Sequence, residues 1–196
     1  MTALDFGCGK FRYTIPLSRQ VKCVYAVDSR HQIHRFQRVR DKQTSLMDYA
    51  STNLPNVKVT GTDLMTWKRR RYDFILCANV LSVMPTRELR IATLATLRRC
   101  LKKAGLLLVC TQFRNAHFKS WASNPQATWC KGGWLVCGRR GASFYAILPL
   151  SDLIKLCTAA RLIAFRSGTK GETAFVFASR TVQTNAKFSA ALKVLG

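Results

Sequence analysis

The sequence predicts an α/β fold: a single doubly wound, mostly parallel seven-stranded sheet with a terminal antiparallel hairpin and helices on both faces. Three observations carry this. Strand-like and helix-like segments alternate along the chain. A glycine turn, Gly7-Cys8-Gly9, follows the first apolar segment. Near the end, Gly168-Thr169-Lys170-Gly171 separates two β-rich runs, which is a hairpin signal.

The elements follow in order. Thr2 to Phe6 is a short strand entering the glycine turn. Tyr13 to Gln20 suits a short helix, with Pro16 in its first turn. Lys22 to Val27, rich in Val and Tyr and followed by Asp28, is the second strand. Arg30 to Tyr49 is basic, with apolar residues at Ile33, Phe36, Val39, Leu46 and Met47, and is expected to be helix. Val57 to Thr60 and Tyr72 to Ala78 are the third and fourth strands. Thr86 to Leu101 carries the clearest helical pattern, with Leu89, Ala92, Leu94, Leu97 and Leu101 on one face. Glu88 opens it, Arg98 and Arg99 close it, and Gly105 is the expected C-terminal stop. Leu106 to Gln112 reads as a buried strand. Phe113 to Phe144 has no clean period and is expected to be an inserted surface loop. Ser151 to Ala160 is a helix with Ser151 as N-cap, and Leu162 to Arg166 with Thr173 to Ser179 forms the hairpin. One domain over residues 1–180, with the insertion at about 113–144, and a tail over 181–196 are expected.

Composition sets the class. A chain of 196 residues that is 48% hydrophobic can bury one sizeable core. Asp5 arrives before any secretory apolar run could form, and no stretch is apolar for long enough to cross a membrane, so a cytoplasmic protein without a membrane partner is expected. The eight cysteines include no C-x-x-C pair and mostly fall in apolar stretches, as reduced cysteines do. Cys130, Cys137 and His117 match no common zinc spacing, and no metal is expected. The charge stands apart: 32 Lys+Arg against 9 Asp+Glu, a formal net charge of +23. Such a field attracts polyanions.

The first strand ends in Asp5-Phe6-Gly7-Cys8-Gly9, and Asp28 closes the second strand. Glycines allow a sharp turn and close approach of a ligand. A carboxylate at the end of the next strand can accept both hydroxyls of a ribose. A nicotinamide fingerprint would need glycine at position 12, where Arg12 stands, and has no use for the acid at Asp5. The pattern acid-x-Gly-x-Gly, with Val24-Tyr25-Ala26-Val27-Asp28, resembles class I S-adenosylmethionine-dependent methyltransferases. The resemblance implies S-adenosylmethionine as cofactor. Asp5, Gly7 and Gly9 would cradle its methionine end, Asp28 would hold the ribose, and Asp63 would face the adenine amino group. The fourth strand would open the methyl-transfer site at Asn79. Two departures stand out. Phe11 replaces the third glycine of the family pattern, either narrowing the methionine pocket or facing the core. The chain also starts close to Asp5, without the helix that normally covers the pocket, so the cover would come from the insertion, a protein partner or a second copy, or the chain is a truncated form.

The acceptor is less legible. Asn79-Val80-Leu81-Ser82-Val83-Met84-Pro85 is not the Asp/Asn-Pro-Pro-aromatic segment of amino-directed DNA methyltransferases, and Cys110 lies in an apolar strand. Gln112, Arg114, Asn115, Arg139, Arg140 and Tyr145 follow the fifth strand or lie in and just beyond the insertion, where open α/β sheets bind ligands. Asn79 and Tyr145 are the candidates for contact with the reacting groups. The charge, and Trp121, Trp129 and Trp134 among Lys119, Lys131 and Arg139, suggest a nucleic acid acceptor, RNA or DNA. The alternatives are a small-molecule acceptor, or a non-catalytic binding protein that keeps the fold.

Overall fold

The computed structural model describes residues 1–113, 116–130, 132–138 and 141–182, with the side chains of Ala116, His117 and Lys119 excepted. Arg114, Asn115, Lys131, Arg139, Arg140 and the tail from 183 lie outside the described residues.

The chain runs β1 (Thr2–Phe6), α1 (Thr14–Ser18), β2 (Cys23–Asp28), α2 (Arg30–His34), β3 (Gln37–Val39), β4 (Lys42–Thr44), α3 (Leu46–Asn53), β5 (Val57–Gly61) and β6 (Tyr72–Ala78). A 3-10 turn at Leu81–Val83 leads to α4 (Arg87–Cys100) and β7 (Leu101–Gln112). Then follow α5 (Ala116–Trp121), β8 (Ala127–Cys130), β9 (Gly133–Gly138), β10 (Gly141–Ala146), α6 (Leu150–Ala159), β11 (Ile163–Lys170) and β12 (Thr173–Ser179). The main sheet has seven strands in the order β11-β12-β7-β6-β1-β2-β5. Its central pairs are parallel, while β12 is antiparallel to both β7 and β11.

Alternation along the strands divides the core into two layers. Leu4, Tyr25, Val27, Ile75, Leu107 and Val109 pack with Leu94 and Leu97 of α4 and Leu153 and Leu156 of α6. Ala3, Val24, Ala26, Phe74, Leu76 and Leu106 face the other way, against Leu17, Ile33, Leu46 and Ala50. The chain leaves β1 toward β2 and β5, then returns to β6 on the other side of β1. That reversal opens a crevice beyond the ends of β1 and β6, where open α/β sheets hold ligands.

Several local expectations are corrected. The helix expected over Arg30 to Tyr49 is two helices around a hairpin. Ser29 caps α2 by accepting from Gln32 N, and Ser45 caps α3 by accepting from Asp48 N. Between them Arg40 turns at φ +56° and β3 pairs with β4. Two serine caps end the periodicity that a single helix would need. Gly105 is inside β7, not a helix stop. Tyr72 pairs with Leu101 and Phe74 with Leu106, so β7 bulges between them, and a Cβ at Gly105 would lie 2.8 Å from the Tyr72 carbonyl. Ser151 is not the cap of α6: Pro149 holds that place, without a side-chain hydrogen bond. The described residues of the insertion form α5 and a small antiparallel sheet, β10-β9-β8, rather than an irregular loop. The terminal hairpin turns at Gly171, φ +55°, with β11 reaching Lys170.

Candidate active site

The turn after β1 is built by backbone hydrogen bonds. Gly7 N and Cys8 N both donate to the Val27 carbonyl, at 2.7 and 3.1 Å. Gly7 has φ +78° and Gly9 φ +53°. A Cβ on Gly7 would collide with Val80 Cγ2, so only glycine lets the loops after β1 and β6 close together. Gly9 N donates to Asp28 Oδ2 at 2.9 Å, and Ser29 N to Asp28 Oδ1 at 2.7 Å. Each carboxylate oxygen retains a second lone pair for a hydroxyl.

Asp5 lies behind this turn. It is 1% exposed and accepts from Thr14 Oγ1 at 2.6 Å. Burial raises its carboxyl to about 6; the Thr14 hydrogen bond opposes the rise and the charge of Asp28 adds to it. Burial, Asp5 and Asp28 together push the Cys8 thiol far up, so it is no nucleophile. Phe11 adopts φ +63°, the conformation a glycine would favour there. Its ring is fully buried, tilted against Tyr49 with centroids 6.1 Å apart. It faces the core rather than the pocket.

Gly7, Gly9, Asp28 and Asn79 meet in one pocket of about 350 Å³, with Lys10, Arg12 and Tyr13 at its mouth and Ala78, Val80 and Val83 on its far wall. Asp63 is exposed beside it: its carboxylate folds over Gly61, in the turn that begins with Thr62 N donating to the Asp28 carbonyl. Asp63 does not line the pocket, and Asp5 supports the turn from behind.

Asn79 is in the left-handed region, at φ +60°. Its backbone N donates to the Cys110 carbonyl at 2.8 Å, and its Oδ1 accepts from Gln112 N at 3.0 Å. These bonds tie the ends of β6 and β7, leaving Nδ2 as the group Asn79 can offer a ligand. Asparagine adopts this left-handed conformation more readily than most residues, and here it sets the side chain at the pocket wall.

A second pocket of about 260 Å³ lies on the other side of Asn79 and Val83. Its remaining lining is Ser82, Gln112, Phe118, Trp121 and Tyr145. The Trp121 and Tyr145 rings lie 4.7 Å apart at 33°, and Phe118 is 5.3 Å from Trp121. Gln112 and Tyr145, expected from the sequence, are therefore brought to Asn79. The roles of Phe118, Val83 and Ser82 carry no sequence signal.

Arg90 was also missed, and here a signal exists: it shares the apolar face of α4 with Leu94 and Leu97. It is 8% exposed. Its Nε donates to the Leu81 and Met84 carbonyls at 3.1 and 3.0 Å, and its Nη2 to Met84 at 2.7 Å. This guanidinium holds the segment that walls both pockets.

Among the described residues, no cluster of His, Cys, Asp or Glu is placed to hold a metal, and no helix is long and apolar enough to cross a membrane.

The site fits S-adenosylmethionine on its own chemistry. Asp28 suits a ribose, a Cβ on Gly9 would project into open space, and the negative charges of Asp28 and, behind the turn, Asp5 lie against the glycines while Lys10 and Arg12 stand at the mouth. The comparisons agree. The uncharacterized protein YmfD of Escherichia coli (strain K12) is 29% identical over 174 residues, 89% of this chain and 77% of that protein. A Methanosarcina mazei S-adenosylmethionine-dependent methyltransferase is similar in structure, with TM-score 0.64 at 16% identity over 93% of each chain. So is the Burkholderia thailandensis 1,6-didemethyltoxoflavin-N1-methyltransferase, solved with its namesake ligand and S-adenosylhomocysteine, with TM-score 0.61 at 16% identity over 92% of this chain and 71% of that one. S-adenosylmethionine is the cofactor of this fold. The sequence matches the family of methyltransferase domains over residues 1–159, and the chain belongs to that family.

Proposed function

We propose that the protein transfers a methyl group from S-adenosylmethionine to a small, planar acceptor held between Trp121, Tyr145 and Phe118. The observation that carries this reading is the shared wall: Asn79 and Val83 line both the cofactor pocket and the aromatic pocket. Methyl transfer is a displacement at carbon, and much of its acceleration comes from aligning two reactants. Two adjoining pockets supply that alignment. The cofactor brings the electrophilic methyl group. Gly7, Gly9 and Asp28 bind and orient it, the aromatic rings fix the plane of the acceptor, and Asn79 Nδ2 offers a hydrogen bond at the junction.

The lining of the second pocket favours a small molecule over a nucleic acid. None of its described residues is charged, and about 260 Å³ suits a single ring system. Among those described residues a phosphate chain would find no cation. Phe11, which stands where the family pattern has its third glycine, lies in the core and leaves the cofactor pocket open.

The test is transfer of labelled methyl from S-adenosylmethionine into separated cell fractions. Label is expected in the small-molecule fraction, with Trp121→Ala raising KM for the acceptor far more than for the cofactor. Label in RNA or DNA instead, or no turnover by a folded protein that binds the cofactor, sinks the proposal.

A further inference from the structure

The positive charge has a place in the fold. Tyr25 of β2 pairs across the ladder with Lys58 of β5. Lys58 Nζ lies 5.9 Å and Arg70 Cζ 4.9 Å from the centre of that Tyr25 ring. Tyr72 stands edge-on to Tyr25 at 5.6 Å, so the start of β6 adjoins them. Nearby, Cys100 Sγ sits 3.6 Å from the Lys68 carbonyl. Arg71 Nη1 donates to the Arg70 carbonyl at 3.1 Å, and Arg99 immediately precedes Cys100 in the last turn of α4; burial raises the Cys100 thiol, and Arg71, Arg99 and Lys68 act against the rise. Five cations from β5, the β5–β6 connection and the last turn of α4 thus lie about Tyr25 and Cys100. Among the described residues the ion pairs are Lys102–Asp73 and Lys155–Asp152, and neither uses any of the five.

The location matters as much as the charge. Lys58 is the second residue of β5 and Arg70 and Arg71 directly precede β6, whereas both pockets lie where β1 and β6 end; Lys68 reaches partway, sharing a cleft with Trp67 and Phe6. Eight residue steps of about 3.3 Å along β6 separate Arg71 from Asn79 by roughly 25 Å.

We propose that this patch docks the phosphate backbone of a nucleic acid, and that the bound strand is a scaffold rather than the methyl acceptor. Three of the five cations are arginines, whose planar guanidinium matches phosphate. A membrane surface would call for an apolar anchor among the cations. Of the exposed apolar residues of the β5–β6 connection, Leu64 bonds back to Gly61 and Met65 lies one turn before Arg69, too few to anchor the patch in a membrane.

The experiment titrates the full chain against a fluorescent DNA duplex of arbitrary sequence at several salt concentrations. Each contacted phosphate contributes a slope of about −0.9 in log affinity against log salt. Lys58→Gln/Arg70→Gln/Arg71→Gln, all exposed positions, is expected to keep the wild-type melting temperature, weaken binding at low salt at least tenfold and flatten the slope by about 2 to 3. Arg87→Gln/Lys155→Gln, two exposed cations elsewhere, is expected to leave the slope unchanged. S-adenosylmethionine affinity is expected to be the same with and without duplex. The proposal is overturned by absence of binding at low salt, by a triple variant with the wild-type slope, by competition between duplex and cofactor, or by equal, equally variant-sensitive binding to phosphatidylglycerol vesicles. A failure here leaves the small-molecule methyl transfer standing, because that is read by label and not by duplex binding.

Discussion

Asp5 makes the protein less stable at neutral pH than its shape requires, and Asp5→Asn exposes this. The substitution keeps the size of the side chain and an acceptor for Thr14 Oγ1, and removes the charge. In the folded protein the Asp5 carboxyl is raised from 3.8 to about 6, first by burial, with Asp28 adding and Thr14 opposing. Each unit is about 1.4 kcal/mol, so ionising Asp5 in the folded state costs about 3 kcal/mol. The sign follows from proton uptake. The folded state holds this proton more tightly than the unfolded state, so stability falls as pH rises from about 4 to about 6 and then levels. An asparagine has no such slope. Urea unfolding of both proteins is expected to show the variant gaining about 3 kcal/mol on the wild type between about pH 3.5 and pH 7. The same variant is expected to bind S-adenosylmethionine more weakly, since the cradle loses one of the two charges that suit a cation. A stability difference that stays flat, or that moves the other way across this window, refutes the reasoning.

Asp28→Ala is expected to weaken S-adenosylmethionine binding by at least tenfold in calorimetry, because hydrogen bonds to a charged group are worth about 1.5–3 kcal/mol each. It also frees Gly9 N, so faster amide exchange at Gly9 is the companion readout. Phe11→Gly is expected to lower stability by about 3–4 kcal/mol through the cavity it leaves, less the relief of a positive φ. Cofactor binding measured well below the melting temperature should survive, and its loss from a folded variant would put Phe11 in the pocket after all. Arg90→Ala strands the buried Leu81 carbonyl and the Met84 carbonyl and is expected to cost about 2–4 kcal/mol in urea unfolding. KM for both cofactor and acceptor should rise together, because one segment walls both pockets; an effect on stability alone would contradict that role.

The sheet and its cofactor end were legible because their signals are local. Alternating apolar residues mark each strand, glycines mark the turn, and Asp28 follows Asp5 at the spacing of one strand–helix unit. The stretch after Asp28 was misread because its apolar residues mimic a helix while Ser29 and Ser45 cap two. The aromatic pocket was illegible for a different reason. Phe118, Trp121 and Tyr145 meet Asn79 only once β9 and β10 pair and the insertion folds back on the 3-10 turn, and no spacing in the chain encodes that contact. Asp63 shows the limit of reasoning by position: it follows the third parallel strand as expected, yet its carboxylate folds over Gly61 outside the pocket.

The insertion enters after Gln112, at the end of a central strand, and returns to the sheet layer through Tyr145 and Ala146. It contributes rings to one pocket and no described residue to the other. On the proposed function, selection can therefore rework Phe118, Trp121 and Tyr145, and so exchange one acceptor for another, without disturbing the glycine turn or Asp28. The sheet side offers no such freedom, since any change at Asn79 or Val83 alters both pockets at once. Diversification of this enzyme would leave its record in the segment between Gln112 and Ala146, and a library meant to redirect it belongs there.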